Sequence, residues 1–131
     1  MDFFMNAALD EAKKAAKKCE VPIGAVIVRG GKIIARAHNL RERRRNALGH
    51  AEVIAISRAC KRLKSWRLDD CVMYVTLEPC SMCMGAAINA RIKTIYFGAP
   101  STTDLNWRTE SVFLENAECG KLVKDFFASK R

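Results

Sequence analysis

The chain has 131 residues, of which half are hydrophobic and 28% are charged, a composition that excludes an intrinsically disordered protein. This length predicts one domain over residues 1–131, and the longest apolar runs are too short to span a bilayer. The 23 lysines and arginines against 14 acidic residues give a formal net charge of +9, which favours an acidic partner, with nucleic acid as the first candidate. The N-terminal residues show no secretory signal pattern, so we expect a cytoplasmic protein.

The first elements predicted along the chain are a helix and a hairpin. Apolar residues at helical spacing predict an amphipathic helix over residues 2–18 that ends before Val21-Pro22. Two runs rich in β-branched residues, 24–29 and 32–37, are joined by Gly30-Gly31. This pattern predicts a β-hairpin.

A basic loop and a second helix are predicted next. Residues 39–49 lack periodicity and carry Arg41, Arg43, Arg44 and Arg45, which is typical of a loop. From about Ala51 a helix is predicted, with a buried face formed by Val53, Ile56, Cys60 and Leu63.

The second half of the chain predicts strands and helices in alternation. Residues 71–77 form an apolar run typical of a buried strand, and a helix is predicted to start at Pro79 and run to about Ala90. A strand over 93–98, a short edge strand over 111–114 and a final helix over 117–129 follow. This order predicts an α/β fold in which one mixed sheet is covered by helices on both faces.

The six cysteines fall into two kinds. A disulfide framework is disfavoured because thiols stay reduced in the cytosol and the chain is long enough to build a core. Four cysteines are isolated and are expected to be small, mostly buried apolar residues: Cys19, Cys60, Cys71 and Cys119. Cys80 and Cys83 form a Pro-Cys-Ser-Met-Cys cluster that needs a separate explanation.

Two short motifs together predict a metal site. Cys80 and Cys83 are three residues apart, so on a helix their sulfurs lie on one side, and the positive potential of the helix N-terminus is expected to lower their thiol pKa. His50, at the start of another predicted helix, would complete a His-Cys-Cys set that suits zinc with water in the fourth position. Glu52 need not bind the metal and could reach that water as a proton shuttle.

Each half of this pattern also has a simpler interpretation. His-x-Glu occurs by chance at helix starts, and Cys-x-x-Cys occurs in thioredoxin-like redox motifs, although those normally hold Gly or Pro between the cysteines. A structural zinc site would need a fourth protein ligand. The other histidine in the sequence is His38, and the remaining cysteines are scattered along the chain. The two halves in this order, with Pro79 before Cys80, favour a catalytic zinc site.

The sequence resembles a known family at these motifs. His50-Ala51-Glu52 followed by Pro79-Cys80-Ser81-Met82-Cys83 is similar to the signature of the zinc-dependent nucleobase deaminases. Further segments resemble the bacterial tRNA adenosine deaminases of the TadA type: Val21 to Val26, Asn39, Thr76 to Cys80, Phe97 to Pro100 and Asp125 to Phe127. The likeness extends over nearly the whole chain.

The resemblance implies a fold, a reaction and a set of catalytic residues. The implied fold is the three-layer α/β/α cytidine-deaminase-like fold with a mixed five-stranded central sheet. His50, Cys80 and Cys83 would bind one Zn²⁺ per subunit, and Glu52 would move protons between the activated water, the base and the departing ammonia. The substrate would be the wobble adenosine of a tRNA anticodon loop, the product inosine, and the enzyme a homodimer.

The resemblance also implies four substrate contacts. Asn39 would hydrogen-bond the target nucleotide, although it could instead be a turn residue that closes the hairpin. Ile23 and the backbone of Ala51 would line the base pocket, and for Ile23 core packing is an equal alternative. Phe127 would lie near the RNA or would only dock the last helix. The basic loop would bind phosphate beside the pocket, or it would simply be solvated.

The chain departs from the family pattern outside the metal site. Ser101 follows Pro100 where the family usually has an Asp, and only residues 101–105 precede Asn106-Trp107-Arg108, where the family has a longer segment. Gly49 replaces the small residue expected before His50, and the usual Asp-Pro upstream is missing. These changes concern the substrate, not the chemistry. Two alternatives therefore stay open beside a tRNA adenosine deaminase: a deaminase of free cytosine or guanine or of a nucleoside, and a zinc-stabilised RNA-binding module without catalysis.

Overall fold

The computed structural model describes residues 2–101 and 110–129. The helices in these residues are α1 (Phe3–Lys17), α2 (Arg41–Arg44), α3 (Ala51–Leu63), α4 (Ser81–Asn89) and α5 (Ala117–Ala128). The strands are β1 (Gly24–Arg29), β2 (Lys32–His38), β3 (Cys71–Val75), β4 (Thr94–Phe97) and β5 (Glu110–Phe113). Among the described helices, none has the length and apolar character needed to cross a membrane.

The strands form one mixed sheet in the order β2-β1-β3-β4-β5. β1 is antiparallel to β2 and to β3, whereas β3, β4 and β5 are parallel. α4 connects the parallel strands β3 and β4, as a crossover must. The predicted mixed five-stranded sheet is confirmed, and the predicted strand over 111–114 lies at its edge as β5.

Helices cover both faces of the sheet, so the predicted three-layer arrangement is also confirmed. One face packs against α3 and α4 in the main core, which includes Ile27, Met73 and Ile95. The opposite face presents Val26 and Tyr74 to α1, and α5 completes that layer.

α1 lies unusually close to the sheet because small residues face each other. Ala8 and Ala12 are fully buried, and a Cβ atom on Gly24 would collide with the backbone of both. The helix begins at the cap Asp2, whose side chain accepts hydrogen bonds from the backbone N–H groups of Phe4 and Met5. The predicted amphipathic helix over residues 2–18 is therefore confirmed.

Several local predictions need correction. The segment 39–49, predicted as a loop, contains the short helix α2, which ends at Arg45 in the left-handed conformation (φ 49°). α2 reads Arg41-Glu42-Arg43-Arg44 and contains no apolar residue, so hydrophobic periodicity could not reveal it. Cys19, predicted to be mostly buried, is exposed with φ 60°, because it lies just beyond the end of α1.

The buried face of α3 also differs from the prediction. Val53, Cys60 and Leu63 are only partly buried, whereas Ile56 is buried as predicted. Alanines at helical spacing fill the face instead: Ala51, Ala55 and Ala59. Their small side chains let α3 approach the sheet, and a search for large apolar residues overlooks them.

A buried polar chain links α1 to β2. The Nδ1 atom of His38 lies 2.9 Å from a carboxylate oxygen of Glu11, and its Nε2 atom lies 3.1 Å from the ammonium of Lys18. Since an ammonium can only donate, we assign the ring proton to Nδ1, from which it is donated to Glu11. Burial opposes ionisation of Glu11, but hydrogen bonds from Lys14 and His38 outweigh it and lower the pKa of this carboxyl group.

Glu11→Gln is expected to destabilise the protein by about 1–3 kcal/mol at neutral pH, because it removes the negative charge of a buried network and replaces one of its two accepting oxygens with a donor. A lowered folded-state pKa stabilises the protein above the unfolded value of 4.5, and this stabilisation is lost as the pH falls through the folded-state pKa. The difference from wild type in urea unfolding should therefore stay the same from pH 7 down to near 4.5 and narrow as the pH falls further below 4.5. The exposed neighbour Asp10 provides the control variant Asp10→Asn, and an equal effect of both changes would contradict the assignment.

Candidate active site

Three potential metal ligands converge at the end of β3. The ligand atoms of His50, Cys80 and Cys83 all lie within 4.8 Å of one another. The sulfurs of Cys80 and Cys83 lie 3.7 and 3.5 Å from Nδ1 of His50. One nitrogen and two sulfurs form a donor set that zinc prefers, and three protein ligands leave a fourth position for water or substrate.

The local folding of α3 and α4 explains why these side chains are free to bind. His50 and Cys80 are the cap residues of the two helices, and neither side chain makes a capping hydrogen bond. Both residue types are poor helix caps, so these positions favour a ligand over helix stability. α4 begins at Ser81, two residues later than predicted, which leaves Cys80 in extended backbone with Cys83 in the first turn.

The protein groups alone do not favour the Cys83 thiolate. Burial, together with the neighbouring Glu52 and Cys80, raises the pKa of Cys83, so the predicted lowering by the helix N-terminus is wrong for this residue. Burial and the nearby Arg41 lower the pKa of His50, which favours the neutral imidazole that metals bind. A metal cation bound by the sulfurs would favour the thiolate over the thiol, since coordination deprotonates a thiol outright.

Glu52 lies beside these ligands in a closed environment. Only 3% of the residue is exposed, and its Oε1 atom has no hydrogen-bond partner among the described residues. Burial raises the pKa of Glu52 to about 7, against a smaller opposing effect from its own backbone and from Cys83. A buried carboxylate oxygen without a partner is costly and points to a missing polar group. The residues of this site therefore fit a zinc ion with a water molecule next to Glu52.

Asn39 connects the hairpin to the start of α3. Its side-chain oxygen accepts a hydrogen bond of 2.7 Å from the backbone N–H of Ala51, and its own backbone N–H bonds to the carbonyl of Ile23. Asn39 thus closes the hairpin end, as its simpler interpretation predicted, and also fixes the helix start that carries His50. Because the oxygen is occupied, the amide NH₂ group is the part left to meet a ligand.

The other predicted substrate contacts lie in different surroundings. Ile23 is partly buried and packs against the main core, and Ala51 is fully buried within that core. Phe127 is half exposed and lines a groove of about 480 Å³ together with Asn39 and Arg41. The structure thus places two of the four predicted contacts, Asn39 and Phe127, on one groove.

The arginine-rich segment, residues 41–45, lies beside the site. All its residues are exposed, and Arg41 is close enough to influence the charge of His50. The backbone N–H of Leu40 bonds to the carbonyl of Gly49, which closes the loop immediately before His50. Arg41 therefore brings positive charge close to the ligand His50.

Sequence reasoning missed two carboxylates that shape the surroundings. Glu78 accepts a hydrogen bond of 2.9 Å from the backbone N–H of Ser101, and Glu20 accepts two backbone hydrogen bonds from α2. Glu78 lies within the family-like segment from Thr76 to Cys80, and Glu20 directly precedes the one that starts at Val21. Nothing in the sequence shows which backbone N–H groups these glutamates bind. Residues 102–109, which hold the rest of the shortened segment and Asn106-Trp107-Arg108, lie outside the described residues.

Asn39→Ala is expected to lower the free energy of unfolding by about 1–3 kcal/mol, because it leaves the buried N–H of Ala51 without an acceptor. Asn46 is the matched control, since its side chain accepts a similar backbone bond, from Leu48, at an exposed position. Asn46→Ala should cost less than about 1 kcal/mol. Urea unfolding of both variants measures the difference, and equal losses would show that the Asn39 bond does not support α3.

Comparisons with known proteins agree with this geometry. The family model described as MafB19-like deaminase matches residues 1–131. The chain is similar to a tRNA-specific adenosine deaminase of Bacillus subtilis (strain 168), with 45% identity over an alignment of 145 positions that covers 99% of this chain and 90% of that protein. Since this chain has 131 residues, the relative carries residues that this chain lacks.

Solved structures give two further similarities. A structure from a study of A-to-I editing by tRNA:A34 deaminases at the wobble position of transfer RNA matches with a TM-score of 0.78 and 36% identity, over 85% of this chain and 96% of that one. A guanine deaminase from Bacillus subtilis matches with a TM-score of 0.73 and 30% identity, over 99% of this chain and 94% of that one.

Proposed function

This chain belongs to the family of tRNA-specific adenosine deaminases, and on that basis we propose that it converts adenosine to inosine at the wobble position of a tRNA anticodon. The observation that carries the proposal is the group of His50, Cys80 and Cys83 within 4.8 Å beside a buried, unpartnered carboxylate. This combination supports a hydrolytic deaminase, since a structural metal site would not need Glu52.

We assign His50, Cys80 and Cys83 as the ligands of one zinc ion. When bound, zinc acts as a Lewis acid that makes water acidic enough to attack near neutral pH. His50 contributes a neutral nitrogen, and the two cysteines contribute sulfurs. The starts of α3 and α4 hold the three side chains close together, and a zinc ion bound by three protein ligands would have a fourth position for the reacting water.

Glu52 is assigned as the residue that moves protons. The net reaction joins a water oxygen to C6 of adenine, breaks the bond between C6 and the exocyclic nitrogen, and releases ammonia. The carboxylate takes one proton from the water and gives it to the ring nitrogen, and it then takes the second proton from the oxygen now bound to C6 and delivers it to the departing nitrogen. Its burial keeps bulk water away from this transfer, and its free Oε1 is available to hydrogen-bond the reacting groups.

The remaining predicted contacts would hold the substrate. The NH₂ group of Asn39 is free to donate to the target nucleotide, while its oxygen keeps Ala51 in place. Ile23 and the backbone of Ala51 would line the base pocket. Phe127 and the exposed arginines beside the groove would bind the flanking RNA, because splayed bases stack on aromatic rings and phosphates pair with guanidinium groups.

A free-base deaminase is the alternative with a specific observation in its favour. The guanine deaminase of Bacillus subtilis covers nearly the same length at 30% identity. The net charge of +9 favours a polynucleotide instead, since guanine offers no phosphate to these arginines.

The proposed enzyme would act in the cytoplasm as a homodimer.

The decisive experiment compares substrates on the zinc-loaded protein. We expect inosine and ammonia from an anticodon stem-loop carrying adenosine at the wobble position, and no ammonia from free guanine or cytosine. A stem-loop with guanosine at that position is the matched control. Ammonia from free guanine with an inert stem-loop would replace the tRNA proposal by the alternative, and RNA binding without either reaction would indicate a binding module.

A further inference from the structure

Glu20 carries a buried carboxylate that has no part in the proposed chemistry. The residue is 2% exposed, and each of its carboxylate oxygens accepts one backbone hydrogen bond, from Glu42 (3.2 Å) and from Arg43 (2.8 Å). Within residues 2–101 and 110–129, no lysine or arginine side chain forms an ion pair with it. Glu20 therefore directs its charge at the backbone of the arginine-rich segment.

The end of α1 fixes Glu20 in place. Cys19 adopts φ 60°, and the backbone N–H of Glu20 bonds to the carbonyl of Ala15 at 3.0 Å. This is the hydrogen bond of a helix that ends with one left-handed residue. The carboxylate is thus attached to a rigid helix that packs on the sheet.

The arginine-rich segment is closed at its other end. The N–H of Asn46 bonds to the carbonyl of Arg41 at 3.1 Å, and a Cβ atom on Gly49 would lie 2.9 Å from Cα of Arg41. The next residue is His50. The segment is therefore a compact turn, held by Glu20 at its start and joined through residues 46–49 to a proposed metal ligand.

We propose that Glu20 is a positioning residue, which holds the arginine-rich segment in the conformation that binds RNA phosphate at the groove. The proposal rests on the proposed function, because it assigns the arginines to the RNA. Both Glu20 and Arg41 line the groove that also contains Phe127. Without the carboxylate, the N–H groups of Glu42 and Arg43 would hydrogen-bond to water and the segment would be less ordered. RNA binding would then include the entropic cost of ordering it, which weakens the affinity.

Glu20→Gln is expected to raise KM for the anticodon stem-loop about fivefold to tenfold and to change kcat by less than about twofold, since the metal ligands and Glu52 stay in place. The slope of log KM against log salt concentration should become shallower by about 1, because fewer phosphate contacts form. A residue with a merely structural role would lower stability without changing this slope.

Glu42→Gln is the matched control, because it removes one negative charge from the turn that Glu20 contacts. The carboxylate of Glu42 is exposed, and only its backbone N–H contacts Glu20. Loss of a negative charge near RNA strengthens phosphate binding, so this variant should lower KM. The proposal predicts opposite signs for the two variants, and a lowered or unchanged KM in Glu20→Gln would overturn it.

Hydrogen exchange separates the positioning role from the proposed function. The amides of Glu42 and Arg43 should exchange at least about tenfold faster in Glu20→Gln than in Glu42→Gln, while the amides of α3 keep their protection. If wild type forms no inosine, the proposed function fails, and equal exchange in both variants would separately reject the positioning role. If Glu20→Gln does not fold, Glu20→Asp should shift KM and exchange in the same direction by a smaller factor, and no shift would reject the proposal.

Discussion

Glu52→Gln is expected to lower kcat for inosine formation by about 10²- to 10⁴-fold, the usual contribution of a proton-transferring side chain. The amide has the same shape as the carboxyl group but cannot accept and release a proton. Glu52 is 3% exposed and its Oε1 has no described partner, so the replacement breaks no hydrogen bond of that oxygen. We therefore expect a folded, zinc-binding and inactive protein.

Single-turnover kinetics with saturating stem-loop would measure the loss, and metal analysis with thermal unfolding would check the protein. The exposed Glu115 supplies the control Glu115→Gln, which should retain wild-type kcat. A zinc-loaded Glu52→Gln with more than about a tenth of wild-type kcat would contradict the proton-transfer role. Loss of zinc from this variant would instead indicate that Glu52 helps to hold the metal.

The sequence predicted the fold well where apolar residues repeat at helical spacing or form short continuous runs. α1, the hairpin of β1 and β2, and β3 all have this property, and their observed bounds are within a few residues of the predicted ones. The prediction failed where structure depends on backbone hydrogen bonds or on small residues. α2 is held by Glu20 across the fold, and the face of α3 is built from alanines.

For the candidate site, the sequence predicted the ligands but not the hydrogen bonds that position them. The spacing of Cys80 and Cys83, with a histidine at another helix start, predicted that three ligands would meet, and the structure brings them together. Pairings between distant backbone and side-chain groups were not predictable. Neither the bond from Ala51 to Asn39 nor the two bonds to Glu20 leaves a pattern in the sequence, since each depends on how the hairpin and α1 pack.

The two N-cap residues at this site are proposed metal ligands, and they do not give the capping hydrogen bonds that would stabilise α3 and α4. His50 and Cys80 occupy positions where Ser, Asp or Asn would satisfy the first backbone N–H groups, and neither provides a capping bond. Asn39 offsets part of this loss by accepting from Ala51 at the start of α3. A bound cation would stabilise the same region, because it binds the folded chain in preference to the unfolded one.

Cys83→Ala is therefore expected to abolish zinc binding and to lower kcat/KM by about 10³-fold or more, since the Lewis acid that activates water is lost. Cys119→Ala is the matched control, because Cys119 is also a buried free cysteine in the first turns of a helix. Both replacements leave a cavity of the same small size, so the direct packing loss should be similar, about 1 kcal/mol each.

The two variants must then differ in their response to a chelator. Wild type and Cys119→Ala should unfold at lower temperature after zinc is removed, whereas Cys83→Ala should already show the metal-free value and stay unchanged. Zinc content, inosine formation and thermal unfolding measure this difference independently of one another. Full zinc content in Cys83→Ala would remove this cysteine from the ligand set, and a fall in activity without zinc loss would give it a different role in the site.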